Sequence, residues 1–417
     1  MGSLPEGDWV VTAPATTEGL QILSIEAPGT RRSYRLLAGV GSHRNERDLS
    51  ITAADPPATT TTWAERREAT PIPDTLVVSR GGYIPVRIPV PTLQQTGLAV
   101  LLEDSVAGNL DQATIVPDPS WPCLMPEGIP PPHLGKLVFT LDLRIGAIHD
   151  VGVTRFGHRR QYDISAGTVS GDRISATVEK GGLDYDLTLP NGAREIEQIV
   201  ILKAGSVPIL MRNAGLAPTG AKQARMVLDF EAPNASSYAW LNTGKFAAVR
   251  VVDTIAKTIQ MKVYDITQAI LPTDRIVVKD PAGGEHQSWD CPVQTGGQGT
   301  SVLTETVTLG SSISIGASKR GSRNIIPITG GTTKGRVVGK ILDGGADYQL
   351  GGLDARYTLA PDDGEFVIVR NCGSGTLYPV FEARVDGPYA FLNQNKYVSS
   401  SPSMVNGGVN ITFYEKK

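Results

Sequence analysis

Gly344-Gly345-Ala346-Asp347-Tyr348, followed by Leu353-Asp354-Ala355-Arg356-Tyr357 and Asp362-Asp363-Gly364, is the stretch that decides the fold. Leu353, Ala355, Tyr357 and Leu359 share one phase, and Asp354, Arg356 and Thr358 share the other. A period of two belongs to a strand. Asp and Gly at 362–364 tolerate the left-handed backbone of a tight hairpin. Phe366 to Arg370 then reads as the returning strand.

The same stretch occurs earlier in the chain. Gly181-Gly182-Leu183-Asp184-Tyr185 answers residues 344–348, and Arg212-Asn213-Ala214-Gly215 answers Arg370-Asn371-Cys372-Gly373. Phe230-Glu231-Ala232 answers Phe381-Glu382-Ala383, and Tyr238-Ala239-Trp240-Leu241-Asn242 answers Tyr389-Ala390-Phe391-Leu392-Asn393. Upstream, Ser120-Trp121-Pro122-Cys123 answers Ser288-Trp289-Asp290-Cys291. The order is kept, and the offset falls only from 289 − 121 = 168 to 389 − 238 = 151. The chain therefore carries one unit twice, over 113–275 and 276–417, behind an extension of residues 1–112 with few strands.

Each unit begins with alternation. Phe139, Leu141, Leu143 and Ile145 hold one phase; in the second copy Leu303, Val307 and Leu309 hold it, with Glu305 intruding on the apolar face. The last strand is Thr258 to Val263 in one copy and Val409 to Tyr414 in the other. About eight short strands per copy are expected. Up-and-down hairpins close on themselves because closure removes unpaired edges. The expected fold is all-β: two tandem small antiparallel barrels, with an N-terminal extension poor in β-structure. In that extension, Asp74 to Val90 reads as one or two strands, which its prolines relegate to an edge.

Composition narrows the function. With 46 Gly and 29 Pro in 417 residues, turns are frequent. The net charge of -3 supplies no basic patch for nucleic acid, and no apolar run is long enough for a membrane helix. Three cysteines without a signal-peptide pattern read as reduced thiols in the cytoplasm. The five histidines show no metal-ligand spacing and no nucleotide loop is present, so no cofactor is expected.

These motifs resemble the domain-of-unknown-function 3237 family of β-barrels (the UPF0311-like proteins). Copy two matches its pattern almost throughout. Copy one departs in the middle, where Arg194-Glu195-Ile196-Glu197-Gln198-Ile199 and Ala204-Gly205-Ser206 replace the Leu-Asp-Ala-Arg-Tyr and Asp-Asp-Gly segments. The resemblance implies a barrel. Tandem, extended versions resemble proteins of fungal secondary metabolism, which implies a small metabolite as partner. A second copy of the chain is compatible with this reading.

Several side chains are candidates for chemistry. Asp347 beside Tyr348, and Asp184 beside Tyr185, could supply an acid–base carboxylate next to a phenol, or could cap a turn. Glu382 and Glu231 follow a Phe in apolar surroundings, where a carboxyl titrates near neutrality; a structural bond to backbone is the alternative. Arg356 is the favoured inward member of the Arg356–Tyr357 pair, either as an oxyanion clamp or in an ion pair with Asp354. Tyr389, Phe391 and Asn393, like Tyr238, Trp240 and Asn242, share a strand phase and suit an aromatic wall ending in an amide, or core packing. Arg212 and Arg370 end strands as ligand contacts or caps. The expected activity is a cofactor-free cyclisation or isomerisation of an apolar natural product. The rival expectation is a non-catalytic carrier.

Overall fold

The computed structural model describes residues 112–118, 125, 127–221, 223–278, 296–394 and 396–417, and the backbone of seven strands between residues 11 and 102. The chain divides into two compact units, Met1–Gln112 and Ala113–Lys417. In the first, Val11–Thr12, Leu20–Glu26, Ser33–Val40 and Leu98–Leu102 form one sheet; Leu49–Ala53, Thr75–Arg80 and Val86–Pro89 form another. Thr75–Arg80 is the central strand of its sheet, not an edge, and is paired on both sides. Only Val86–Pro89, which carries a proline, takes the edge. The repeated Ser-Trp-x-Cys segments at 120–123 and 288–291, and also His43 and His286, lie outside the described residues.

In the second unit, copy one is a closed barrel. Lys136–Thr154, Gly157–Ser170, Ser175–Thr188, Arg194–Ala204, Val207–Ala217, Ala224–Glu231, Phe246–Asp253 and Thr258–Asp265 each pair antiparallel with the next. The last strand pairs back onto the first. The strands number eight as expected, but they are long: the first runs for 19 residues. Phe139, Leu141, Leu143 and Ile145 point inward, in the phase read from sequence, and meet Phe230, Phe246 and Met261. Phe230 sits edge-on to both Phe246 and Phe139, at 5.1 and 6.2 Å between ring centres. Burying each such ring contributes on the order of 1.5–3 kcal/mol.

Copy two is a sheet of eleven strands that curls the same way. Its main path runs Tyr378–Ala383, Val367–Gly373, Leu353–Pro361, Gly339–Ile341, Gly321–Gly335, Gln298–Leu309, Gly408–Lys416 and Tyr397–Ser399. Ile313–Ser318, Ala346–Gln349 and Ser403–Val405 pair alongside this path. Its two edges meet at a single bridge, where the Ser399 N–H donates to Leu377 O at 3.0 Å. The Gly-Gly step here is obligatory. Gly345 has φ +72°, and a Cβ on it would lie 2.0 Å from Arg356 O.

The two copies are stitched together by a pseudo-symmetric pair of clamps. Thr154, Gly157 and Arg159 correspond to Ser318, Gly321 and Arg323, each 318 − 154 = 164 residues apart. The first set comes from a hairpin of copy one and reaches Glu382 of copy two. Thr154 Oγ1 lies 2.6 Å from Glu382 Oε1, and Arg159 Nε donates to the two carboxylate oxygens at 2.9 and 3.1 Å. The second set reaches back to Glu231. Arg323 donates from Nε at 2.8 Å and from Nη2 at 2.6 Å, and Ser318 donates at 3.1 Å. Between the clamps, Leu183, Tyr185, Ile199 and Ile201 of copy one pack on Ile315, Ile325, Ala346 and Tyr348 of copy two. Cys372 is disulfide-bonded, against the expectation of three reduced thiols, and disulfides are uncommon in a reducing cytosol.

These buried pairs can be tested. Glu231→Ala strips Arg323 of its carboxylate inside a seam where Glu231 is 1 % exposed. A loss of about 3–5 kcal/mol is expected by denaturant unfolding. In a double-mutant cycle, replacing both Glu231 and Arg323 with apolar residues should recover much of it. A loss below about 1 kcal/mol for Glu231→Ala would mean that the clamp does not hold the copies together.

Candidate functional site

The side chains singled out in the sequence fall into four places. Glu231 and Glu382 face the seam and are saturated by the clamps. Arg356 is also on the outward face, against Glu197 of copy one and Asp354. This reverses the expected orientation: Tyr357 points into barrel two and Arg356 points out of it. At the seam the guanidinium finds two carboxylates, Glu197 and Asp354. Arg370 bonds Asp354 at 2.9 Å. Arg212 is half-buried; burial lowers its pKa and Asp354 draws it back up. Tyr185 and Tyr348 belong to the seam core, where burial raises the Tyr185 phenol to about 12. The Tyr348 hydroxyl donates to Gly181 O at 2.5 Å.

The expected aromatic walls are not strands. Ala239–Asn242 and Ala390–Gln394 are 3-10 turns, which include Trp240, Phe391 and Asn393 and follow Tyr238 and Tyr389. In each, an asparagine holds the turn against the backbone. Asn242 accepts from the Ala232 N–H at 2.8 Å and donates to Ala232 O at 2.9 Å. Asn393 does the same with Ala383, at 2.9 and 3.0 Å. Trp240 packs on Phe246 with ring centres 5.8 Å apart, and Phe391 lies under the Arg336 guanidinium at 3.8 Å.

Asp184 and Asp347 turn into the two barrels, and here the copies differ. In barrel one, Asp184, Gln198 and Asn213 sit side by side on three adjacent strands. Gln198 donates to Asp184 Oδ2 at 2.5 Å and accepts from Asn213 Nδ2 at 2.6 Å. Arg250 Nη2 reaches Asp184 Oδ1 at 2.5 Å, and Asp186 lies 3.7 Å from Arg250 Nη1. Burial raises the Asp184 pKa, while Arg250 and Gln198 oppose it. All four members of the Asp184–Gln198–Asn213–Arg250 group are at most 1 % exposed. Barrel one is thus closed around its own polar side chains.

Barrel two has the row Asp347, Ala355 and Asn371 in the same register. Alanine replaces Gln198, and Asp347 and Ala355 are only half-buried. A pocket of about 420 Å³ opens beside this row, lined by Ser322, Asn324, Gln349, Leu353, Gly373 and Leu377, among others. Gln349 lies two residues past Asp347 and donates to its Oδ2 at 2.7 Å; the Asp354 N–H donates to Oδ1 at 2.9 Å. Burial raises the Asp347 pKa, while the hydrogen bonds from Gln349 and from the Asp354 N–H oppose the rise and the Asp354 charge adds a smaller push upward.

Deeper in barrel two is a second acid. Glu305, 0 % exposed, accepts the Tyr357 hydroxyl at 2.5 Å. Its Oε1 and the hydroxyl of its cross-strand neighbour Thr333 have no hydrogen-bond partner. Burial raises Glu305 to about 8, against the Tyr357 bond that lowers it. The sequence signalled this residue, because a Glu stood in an apolar phase. Asn213 showed only as part of the repeated Arg-Asn motif, and Arg250 and Gln198 gave no signal.

The fold and its two unequal interiors define a tandem β-barrel protein. The chain belongs to the family described as "Protein of unknown function (DUF3237)", whose profile matches residues 134–266 and again 298–404. A UPF0311 protein of Bradyrhizobium diazoefficiens is 41% identical over 78 residues, which is 17% of this chain and 51% of that protein. The chain spans about half the length of the curated relatives it matches. Among solved structures, a protein with unknown function from Clostridium acetobutylicum is 20% identical with a TM-score of 0.28, over 31% of this chain and 96% of that one. A beta-barrel like protein from Acinetobacter baumannii is 16% identical with a TM-score of 0.28, over 31% and 94%. Among the described residues, no helix is long and apolar enough to cross a membrane.

Glu305 gives a pH test. Its folded pKa of about 8 lies above the ordinary 4.5, so the folded protein keeps a proton that the unfolded chain releases. The associated stability is fully present below 4.5 and is lost as the pH rises through 8. Glu305→Gln should remove up to about 1.4 kcal/mol per pH unit from the decline in unfolding free energy across this window. Parallel pH profiles for the wild type and the variant would show that Glu305 titrates normally.

Proposed function

We propose that the chain binds a small, largely apolar metabolite in barrel two and transforms it by acid–base chemistry without a cofactor, as an isomerase or cyclase. The supporting observation is the contrast between the two rows. Asp184–Gln198–Asn213 is closed on itself, whereas Asp347–Ala355–Asn371 lies beside an open pocket. The pocket's volume of about 420 Å³ suits a small organic ligand. Asp347 is the proton-moving group, because its raised pKa brings its protonated and ionised forms closer to neutral pH. Barrel one supports barrel two through the clamps. The resemblance to tandem fungal proteins suggests secondary metabolism as the setting.

One observation favours the carrier reading. Both oxygens of Asp347 already accept a hydrogen bond. The two readings separate in one experiment. The metabolite that co-purifies with the native protein is identified by mass, and its conversion and binding are measured for wild type and Asp347→Asn. Catalysis predicts a loss of roughly 100-fold or more in turnover with binding kept. Unchanged conversion leaves Asp347 without the proposed role. The absence of any wild-type conversion, with binding intact, favours the carrier.

A further inference from the structure

We infer that the ligand of barrel two presents a head group with two hydrogen-bond donors, a primary carboxamide or an amine, seated between Asp347 and Asn371. The inference rests on the reading of barrel two as the binding barrel and narrows the chemistry it accepts.

Barrel one supplies the template. Strands lie about 4.8 Å apart, so the outer members of a three-strand row are separated by roughly 10 Å at the backbone. Asp184 and Asn213 are joined only because the Gln198 carboxamide stands between them, donating to one and accepting from the other. The same row in barrel two has a methyl group at Ala355. Ala355 is only half-buried, and its side chain is shorter by a carboxamide arm than the Gln198 that bridges the row in barrel one. The row is one step below the pocket, because Asp347, Ala355 and Asn371 are each two residues from the pocket-lining Gln349, Leu353 and Gly373.

The polarity at Ala355 is fixed by the walls on either side. Asn371 is 1 % exposed, and its Oδ1 has no hydrogen-bond partner. Its amide orientation is set by Ser399. Asn371 Nδ2 donates to Ser399 Oγ at 3.3 Å, and that hydroxyl is itself committed to Ser400 O at 3.0 Å. Oδ1 is thus a buried acceptor at the amide end away from Ser399, and leaving it unpaired is costly, as it is for Asn213 Oδ1 in barrel one. The opposite wall is the Asp347 carboxylate, a second acceptor. A head group with donors on both sides satisfies both walls. A carboxylate head would set acceptor against acceptor and like charge against Asp347. Leu353 and Leu377 at the mouth offer apolar surface for the rest of the ligand.

Benzamide and N,N-dimethylbenzamide test this, since they share a ring and a carbonyl and differ in their N–H donors. Each is titrated into the full-length protein and followed by saturation-transfer NMR. Benzamide is expected to bind at least ten-fold more tightly. Ala355→Gln, which restores the arm found in barrel one, should abolish that binding without lowering Tm. Equal binding of the two probes, no benzamide binding, or benzamide binding that survives Ala355→Gln overturns the inference. The co-purifying metabolite separates its failure from that of the wider reading. A donor-free metabolite displaced by Ala355→Gln overturns the two-donor head alone. A metabolite retained unchanged by a folded Ala355→Gln protein removes barrel two as the site.

Discussion

A glutamate at the end of a strand in each copy is almost completely withdrawn from water, and an arginine from the other copy reaches it. Glu382 depends on Arg159, and Glu231 depends on Arg323. Such pairs add little over a well-packed apolar seam, but losing one partner is expensive, and their geometry tolerates little drift. The two hairpins must therefore overshoot their own barrels by a fixed amount and lie across the neighbour. This explains why the Phe-Glu-Ala segment recurs in both copies, and why residues 113–417 form one compact unit. It also accounts for the outward turn of Arg356, which finds its carboxylates at the same seam.

With the outer faces fixed in this way, the interiors were free to diverge. Barrel one fills its lumen with a buried polar cluster around Arg250. Each member is desolvated, and Asp184, Gln198, Asn213 and Arg250 are linked by hydrogen bonds, although Asn213 Oδ1 and the Nε and Nη1 of Arg250 have no hydrogen-bond partner. Barrel two replaces the central glutamine with alanine and keeps the flanking carboxylate and amide. One barrel has become a scaffold and the other has kept an opening. Glu305 and Tyr357 form a further polar pair deep in the open barrel, at the places that Leu141 and Val200 hold in barrel one.

The repeat, the strand phases of Phe139–Ile145 and Leu353–Leu359, and the closure of the first barrel were legible because a period of two survives in a strand whichever way it faces. Which face is inside was not legible for Leu353–Pro361. Its two faces are buried against different partners, the lumen and the other copy, so alternation alone carries no sign there. The Tyr238–Asn242 segment has strand-like spacing, yet it folds into a 3-10 turn because Asn242 bonds the backbone of Ala232. Arg250 reads in sequence like any solvated arginine between valines, and only its ion pair with Asp184, on a strand that its own strand does not neighbour, reveals its burial. The clamps pair residues more than 85 positions apart in one case and more than 220 in the other, so no local pattern announces them.

The unequal interiors are tested most directly by chemical access. Gln198→Cys and Ala355→Cys place a thiol at equivalent points of the two rows, and labelling by a small methanethiosulfonate is counted by intact mass over the wild-type background. Rapid modification of Cys at 355 in the folded protein, with Cys at 198 protected until unfolding, is the predicted result. Equal protection of both, or faster labelling at 198, would contradict an open second barrel beside a sealed first one.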